Sequence, residues 1–174
     1  MAEAEEAETK PERRMSHREQ KEASDVFAAR MAATPATGSE AERFRAAGDR
    51  LQELDMKAFV PIASAAGSEL PEDIQRVLEC WCLLHDAKPS TVSRCAELAA
   101  DVSDFRLVGI SSLECLSEED IGFIFSATSS LDAIEMSKRP HAAAQAAAVM
   151  LEWLQAGLGL RQWAQELRRS STGK

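Results

Sequence analysis

The sequence predicts an all-α protein, a small helical bundle at the tip of a short antiparallel coiled coil. Three observations support this fold class. Apolar residues recur at spacings of three and four, and no stretch of useful length alternates with period two. Capping boxes, in which a serine is followed three residues later by glutamate, begin at Ser16 and Ser39. Two heptad seams flank about 85 residues of shorter helical segments.

The chain divides into six segments, in an order that follows its composition and its helix-breaking residues. These are a charged, disordered arm (1–15), an N-terminal helix with a linker (16–38), a first coiled-coil strand (39–58), a helical tip (59–140), a return helix that forms the second strand (141–169) and a disordered tail (170–174).

The N-terminal helix begins at Ser16 and is broken by the sequence TPATG at 34–38, which contains a proline and a glycine. Its apolar stripe, centred on Val26, Phe27 and Met31, is too narrow to keep an isolated helix stable in water. We therefore expect the stripe to be a contact surface. Its width alone favours docking on a partner protein rather than on the rest of the chain.

The two heptad seams are predicted to pair antiparallel, with residues near 44 close to those near 167. Their members are Phe44, Ala47, Leu51, Leu54 and Ala58 in the first, and Ala146, Val149, Trp153, Ala156, Leu160, Trp163 and Leu167 in the second. The residues expected to meet are Phe44, Leu51 and Leu54 on one side and Trp153, Leu160 and Trp163 on the other. Gly157 and Gly159 are expected to weaken the second seam, because glycine costs about 1 kcal/mol inside a helix.

The stretch LPEDIQRVLECWCLLHD, residues 70–86, contains two of the four cysteines and suggests either a metal or redox site or a buried helix. On a helix, Cys80 and Cys82 lie about 200° apart around the axis, so they cannot both bind one ion. Burial as small apolar thiols is the favoured interpretation, and we expect no metal and no cofactor. His85, beside the apolar stripe, is expected to be a half-buried structural histidine rather than a general base.

The rest of the tip is predicted to consist of short helices with apolar anchors on their inner faces. The expected anchors are Val92, Cys95, Ala96, Leu98, Ala99, Phe105, Leu107, Val108, Ile110, Leu113, Ile121, Ile124 and Phe125, and a further short turn reaches Ile134 and Met136. Ser117 is expected to cap one of these helices, which opens with acidic residues.

The composition disfavours two classes of partner. The formal charge of −9, from 29 acidic and 20 basic side chains, argues against nucleic acid, which requires clustered Lys and Arg. No apolar run approaches the ~18 residues needed to cross a bilayer, so no membrane insertion is expected. An acidic start and cysteines without disulfide spacing favour a cytoplasmic location.

The order of these features resembles the microtubule-binding tip of the dynein heavy-chain stalk, over about residues 44–165. The stretches that carry the resemblance are LQELD, FVPIASAAGSELPEDIQRVLECWCLL, TVSRCAELAADVSDFRLVGI, LSEEDI and AAAQAAAVMLEWLQA. The resemblance implies a helical bundle on an antiparallel coiled coil that docks on tubulin without catalysis. No nucleotide-binding loop of the form G-x-x-x-x-G-K-[ST] is present, so the chain does not resemble the dynein motor itself.

One departure from the family concerns basic residues. The family commonly carries a basic residue before the small residues of the return helix, and alignment on Trp153 places Ala142 there. Lys138 and Arg139, one turn earlier, are the candidate substitutes, together with Lys57 on the first short helix. Residues 57–142 nevertheless contain seven basic and fourteen acidic side chains, a net charge of −7, which disfavours steering to an acidic microtubule.

These observations lead to the expectation of a non-catalytic module held in a larger cytoskeletal assembly, in the cytoplasm, a cilium or a flagellum. Its expected partners are proteins, with tubulin and microtubule-associated proteins as the candidates. Two alternatives remain: a structural subunit of another large complex that does not touch microtubules, and a thiol enzyme.

Overall fold

The structure, a computed structural model, describes residues 38–65 and 70–172, and these residues are all-α, as predicted, with no β-strand. The helices are α1 (Gly38–Glu53), a 3-10 helix (Met56–Phe59), α2 (Val60–Ala63), α3 (Glu72–Leu84), α4 (Val92–Ala99), α5 (Val102–Arg106), α6 (Ile110–Glu114), α7 (Glu118–Thr128), α8 (Ala133–Ser137) and α9 (Ala144–Thr172). The predicted arm at 1–15 and the helix bearing Val26, Phe27 and Met31 lie outside the described residues.

Four of the tip helices begin at a side chain that caps them. Thr91, Asp101, Ser117 and Asp132 cap α4, α5, α7 and α8, respectively. The hydroxyl of Ser117, for example, accepts a hydrogen bond from the backbone N–H of Asp120 at 3.0 Å. Each cap satisfies an N–H group that has no partner within its helix, so helices of five to eleven residues can start at defined positions.

Helix α9 is the central helix of the bundle. Its first half is buried over most of its circumference, with Gln145 exposed, and packs against α1, α3, α6, α7 and α8. The buried residues are Ala144, Ala146, Ala147, Ala148, Met150, Leu151, Trp153, Leu154, Ala156, Gly157 and Leu160. A helix that buries most of its circumference belongs in a core, whereas a coiled-coil strand has one narrow seam. Over these residues α9 therefore differs from the predicted member of a two-helix coiled coil.

Helices α1 and α9 pack antiparallel, in a register different from the predicted one. The rings of Phe44 and Trp153 lie 5.2 Å apart, and Arg50 Nε lies 2.8 Å from Glu152 Oε2. Phe44 also lies against Gly157. Residues near 44 thus face residues 153–157 rather than those near 167, a shift of about three turns.

The ends of both seams also differ from the sequence prediction. Helix α1 ends at Glu53, since Asp55 starts a new 3-10 turn by accepting a hydrogen bond from the N–H of Lys57 at 2.8 Å. Leu54 is therefore outside α1, partly buried against the core. At the other end α9 continues to Thr172, into the segment predicted to be a disordered tail.

The two glycines of α9 have a packing role that the sequence did not indicate. A Cβ atom on Gly157 would overlap Leu113 Cδ1 and would lie 3.3 Å from Phe44 Cε2. A Cβ on Gly159 would lie 2.7 Å from a carboxylate oxygen of Glu40. The missing side chains let α1 and α6 approach the backbone of α9 closely.

Phe105 joins the helices of the tip through its ring and its carbonyl group. Its ring lies 6.0 Å from that of Phe59, 6.1 Å from that of Trp81 and 5.8 Å from that of His85, the last a parallel stack. Trp81 Nε1 donates a hydrogen bond to the Phe105 carbonyl at 3.0 Å, and His85 Nε2 lies at the same distance. The 3-10 helix, α3 and α5 are therefore fixed around one residue.

Two predicted apolar anchors are on the surface instead. Leu107 is 56% exposed and Phe125 is 59% exposed, and Ile134 of α8 is also exposed, at 64%. Leu107 follows the last residue of α5, where the chain leaves its helical path, and Phe125 lies on the side of α7 away from the buried Ile124. Helical spacing identifies the apolar residues of such short segments but does not fix which of them face the core.

Candidate binding surface

The cysteine-rich part of α3 lies inside the core. Cys80, Trp81 and Cys82 are all fully buried, as the apolar interpretation predicted. Burial, reinforced by the charge of Glu79, raises the pKa of the Cys80 thiol to about 12. A thiol of this kind stays protonated near neutral pH and has no access to a substrate.

Cys82 and Cys95 form a buried pair between α3 and α4. The Cys82 thiol donates a hydrogen bond to the Thr91 carbonyl at 3.4 Å, at the start of α4. The hydrogen bond with Cys82 and burial raise the pKa of Cys95, whereas the hydrogen bond from Cys95 lowers the pKa of Cys82. Both residues are fully buried, so the pair is better suited to holding two helices together than to attacking a substrate.

His85 is held by the structure in a fixed orientation. Because a carbonyl only accepts hydrogen bonds, the contact with Phe105 requires that Nε2 carry a proton. Burial lowers the pKa of His85, although the bond to Phe105 and the charge of Asp104 oppose the shift. The neutral imidazole therefore acts as a structural donor that joins the end of α3 to α5.

Neither a metal centre nor a membrane span is found in the described part of the chain. Within residues 38–65 and 70–172, no three His, Cys, Asp or Glu side chains are grouped so that they would bind a metal ion. No helix in these ranges combines the length and the apolar character that crossing a bilayer requires.

The three candidate basic residues of the sequence analysis lie in two parts of the structure. Lys57 is exposed on the 3-10 helix, and Lys138 and Arg139 follow α8. Arg139 forms an ion pair with Asp73 at 3.0 Å, and Lys138 forms one with Glu135 at 3.0 Å. Two of the three candidate cations thus already face carboxylates, which reduces the positive potential that they present to a partner.

Two exposed apolar residues flank Lys57 in the sequence, just after the end of α1. Met56 is 45% exposed and Val60 is 54% exposed, on either side of Lys57. Arg106 Nη1 donates hydrogen bonds to the carbonyls of Gln52 and Leu54, which holds the α5–α6 connection against the end of α1. The exposed Leu107 immediately follows Arg106. We call Met56, Val60 and Leu107 the tip surface.

Sequence reasoning missed the tip surface for an identifiable reason. Met56 lies inside the predicted first coiled-coil strand (39–58) and Val60 just beyond it, but the chain changes there to a 3-10 helix and then to the four-residue α2. The change in helical pitch alters which side chains face outward. Asp55 and Pro61 were the available signals, since aspartate caps helices and proline is favoured in a first helical turn.

Comparison of the chain with protein-family models, with curated proteins and with solved structures finds no match.

Proposed function

We propose that this chain is a non-catalytic protein-binding module similar to the dynein stalk tip, working as a cytoskeletal component held in a larger assembly. The observation that carries the proposal is the tip surface, three exposed apolar side chains at the end of the bundle beyond α1. These three exposed side chains, on elements that Arg106 holds together, offer apolar area for contact with a partner protein.

The arrangement of the helices supports the comparison with the stalk tip. An antiparallel pair, α1 and α9, leads to an end that carries the 3-10 helix and α2. The resemblance implies that tubulin docks at this end of the family members. The tip surface of this chain follows α1 and borders Lys57, one of the three candidate cations.

Charge argues that contact with a bare microtubule is weak. Residues 57–142 carry a net charge of −7, and Lys138 and Arg139 are paired with Glu135 and Asp73. Stable association of the chain with the cytoskeleton would then depend on other proteins that bind the apolar side chains of the tip surface. The same charge favours a second candidate function, a structural subunit of another large complex that does not touch microtubules.

The proposal is tested by recovering the full chain from cells and asking whether it sediments with the cytoskeletal fraction. We expect the wild-type chain to sediment with this fraction and Val60→Asp, in the tip surface, to remain in the supernatant. The matched control is Ile134→Asp, which also places a charge at an exposed apolar position, on α8, and is expected to behave as wild type.

Sedimentation with purified microtubules separates the two candidate functions. We expect little binding at physiological salt. Tight, salt-sensitive binding that is lost when Lys138 and Arg139 are both changed to alanine would contradict weak direct contact. Absence from the cytoskeletal fraction, together with stable co-purification in a different complex, would favour the second candidate function.

A further inference from the structure

An open groove of about 530 Å³ runs between α7 and α9. Its two ends are defined by contacts between these helices. Arg161 pairs with Glu118 at 2.8 Å at one end. At the other, Gln155 Nε2 donates to the carbonyls of Thr128 and Leu131, each at 2.9 Å. The groove therefore extends along the length of α7 and is bounded at both ends by contacts between α7 and α9.

The centre of the groove is lined by apolar side chains and by one glycine. Ile121, Phe125 and Leu158 line it, and Phe125 is 59% exposed. Gly122 lies among them inside α7, and a Cβ atom added there would meet nothing within 4 Å. Glycine inside a helix costs about 1 kcal/mol and no neighbour in the described structure requires it at this position. An open glycine beside exposed apolar side chains allows the backbone of another helix to approach closely.

The described chain begins at the edge of this groove. Arg43 of α1 lines it, and Glu40 lies against Gly159, which also lines it. The preceding residues, 1–37, therefore join the bundle at the groove end that carries Arg161. They include the apolar stripe Val26, Phe27 and Met31, for which the sequence indicated no packing partner within the chain.

We propose that the segment 23–31 docks in the groove between α7 and α9 as an amphipathic helix, with Phe27 directed toward Phe125 and Gly122. The apolar stripe then binds to its own chain. This differs from the sequence prediction, in which the narrow stripe docks on a partner protein. The docking site is separate from the tip surface, so the inference does not rest on the proposed function.

Length and connection are compatible with this docking. Helix α7 has 11 residues and is about 16 Å long at 1.5 Å per residue, and a nine-residue helical segment is about 13 Å long. Seven peptide units separate Met31 from Gly38 and span up to about 24 Å, enough to reach along the groove. A short tether also raises the effective concentration of the segment into the millimolar range, so a modest contact suffices.

The test places the photoreactive amino acid p-benzoylphenylalanine at position 27 of the full chain. We expect crosslinks within the monomer that map to α7 or to the groove-lining residues 155–162 of α9. The matched control is the same amino acid at Ala29, which lies on the opposite face of the predicted helix and should give none of these crosslinks above background.

Two groove variants are designed to separate docking from folding. Gly122→Leu fills the groove and also improves the helix propensity of α7, so we expect a folded protein whose crosslinks fall by roughly fivefold or more. Phe125→Ser should act in the same direction. Phe123→Ser is the control, because Phe123 is also exposed on α7 but does not line the groove.

Three outcomes would overturn the proposal. Crosslinks from position 27 that join two chains would assign the groove to a second copy. Crosslinks to other parts of the domain would place the segment elsewhere. Crosslinks in the groove that persist unchanged in the folded Gly122→Leu variant would show that the segment does not occupy the space between Phe125 and Leu158.

Discussion

The carbonyl of Phe105 shows how one acceptor organises several helices. It receives hydrogen bonds from Trp81 Nε1 and His85 Nε2, while the Phe105 ring packs against three other rings. A buried carbonyl costs about 1–3 kcal/mol if left without a donor, so both donors stabilise this arrangement. Because one of them is a histidine, the arrangement responds to pH.

We predict that His85 makes stability fall in mild acid. Its folded-state pKa is lowered by burial, so protonation favours the unfolded chain, where the ordinary value is 6.5. The contribution is fully present above about pH 6.5 and is lost as pH falls below that value toward the folded-state pKa. Urea unfolding measured between pH 8 and pH 5 should show this loss.

The control is His85→Gln, which retains an N–H donor for the Phe105 carbonyl but does not titrate. The difference in unfolding free energy between the wild-type chain and this variant should depend on pH below about 6.5 and be constant above it. A difference that is the same at every pH would show that His85 titrates normally in the folded chain.

At the scale of single elements, the sequence predicted most helices and their caps but not their roles. Ser117 caps α7 as expected, since a capping serine acts locally. Helix α9 was predicted as one strand of a pair, because a heptad seam reveals the face toward one partner and not the number of partners. The alanines between seam positions were the missed signal. A helix rich in alanine admits close neighbours on several sides, as the burial of Ala144, Ala147 and Ala148 outside the seam shows.

The glycines provide a test of close packing between elements. Gly157→Ala should lower stability by roughly 1–3 kcal/mol, because the new methyl group overlaps the fully buried Leu113 and crowds Phe44. Gly48→Ala should instead raise stability by about 0.5–1 kcal/mol, since a Cβ there meets nothing within 4 Å and alanine favours the helix. Thermal and urea unfolding of both variants would measure these opposite effects.

Equal stabilisation by the two substitutions would show that α6 and α1 do not approach α9 as closely as the structure indicates. The comparison is well matched, because both changes are the same in chemistry and both positions lie within helices.

At the scale of the whole molecule, one core joins α1 to α9. Trp153 lies 5.2 Å from Phe44 of α1 and 5.6 Å from Trp81 of α3, measured between rings. The all-α class and the buried cysteines followed from spacing in the sequence. The register of α1 on α9, the tip surface and the groove did not, because they depend on the order in which short helices stack around α9.

This single core predicts cooperative unfolding. Trp153→Ala should cost about 3–5 kcal/mol, because the ring is almost fully buried and contacts two other helices. The loss of unfolding free energy should be the same whether unfolding is followed by tryptophan fluorescence or by far-UV circular dichroism. Trp163→Ala, at a partly buried position, should cost clearly less. Two separate transitions in the wild-type chain would contradict a shared core.

The central position of α9 has a consequence for synthesis, because α9 is also the last helix of the bundle to leave the ribosome. Until it emerges, α1, α3 and α7 lack a surface against which they pack, and the part of α3 that contacts α9, including Trp81 against Trp153, stays uncovered. Nascent chains in this condition are prone to aggregate. We expect the polypeptide to rely on chaperones during translation and to reach its folded state only after residue 160 has emerged.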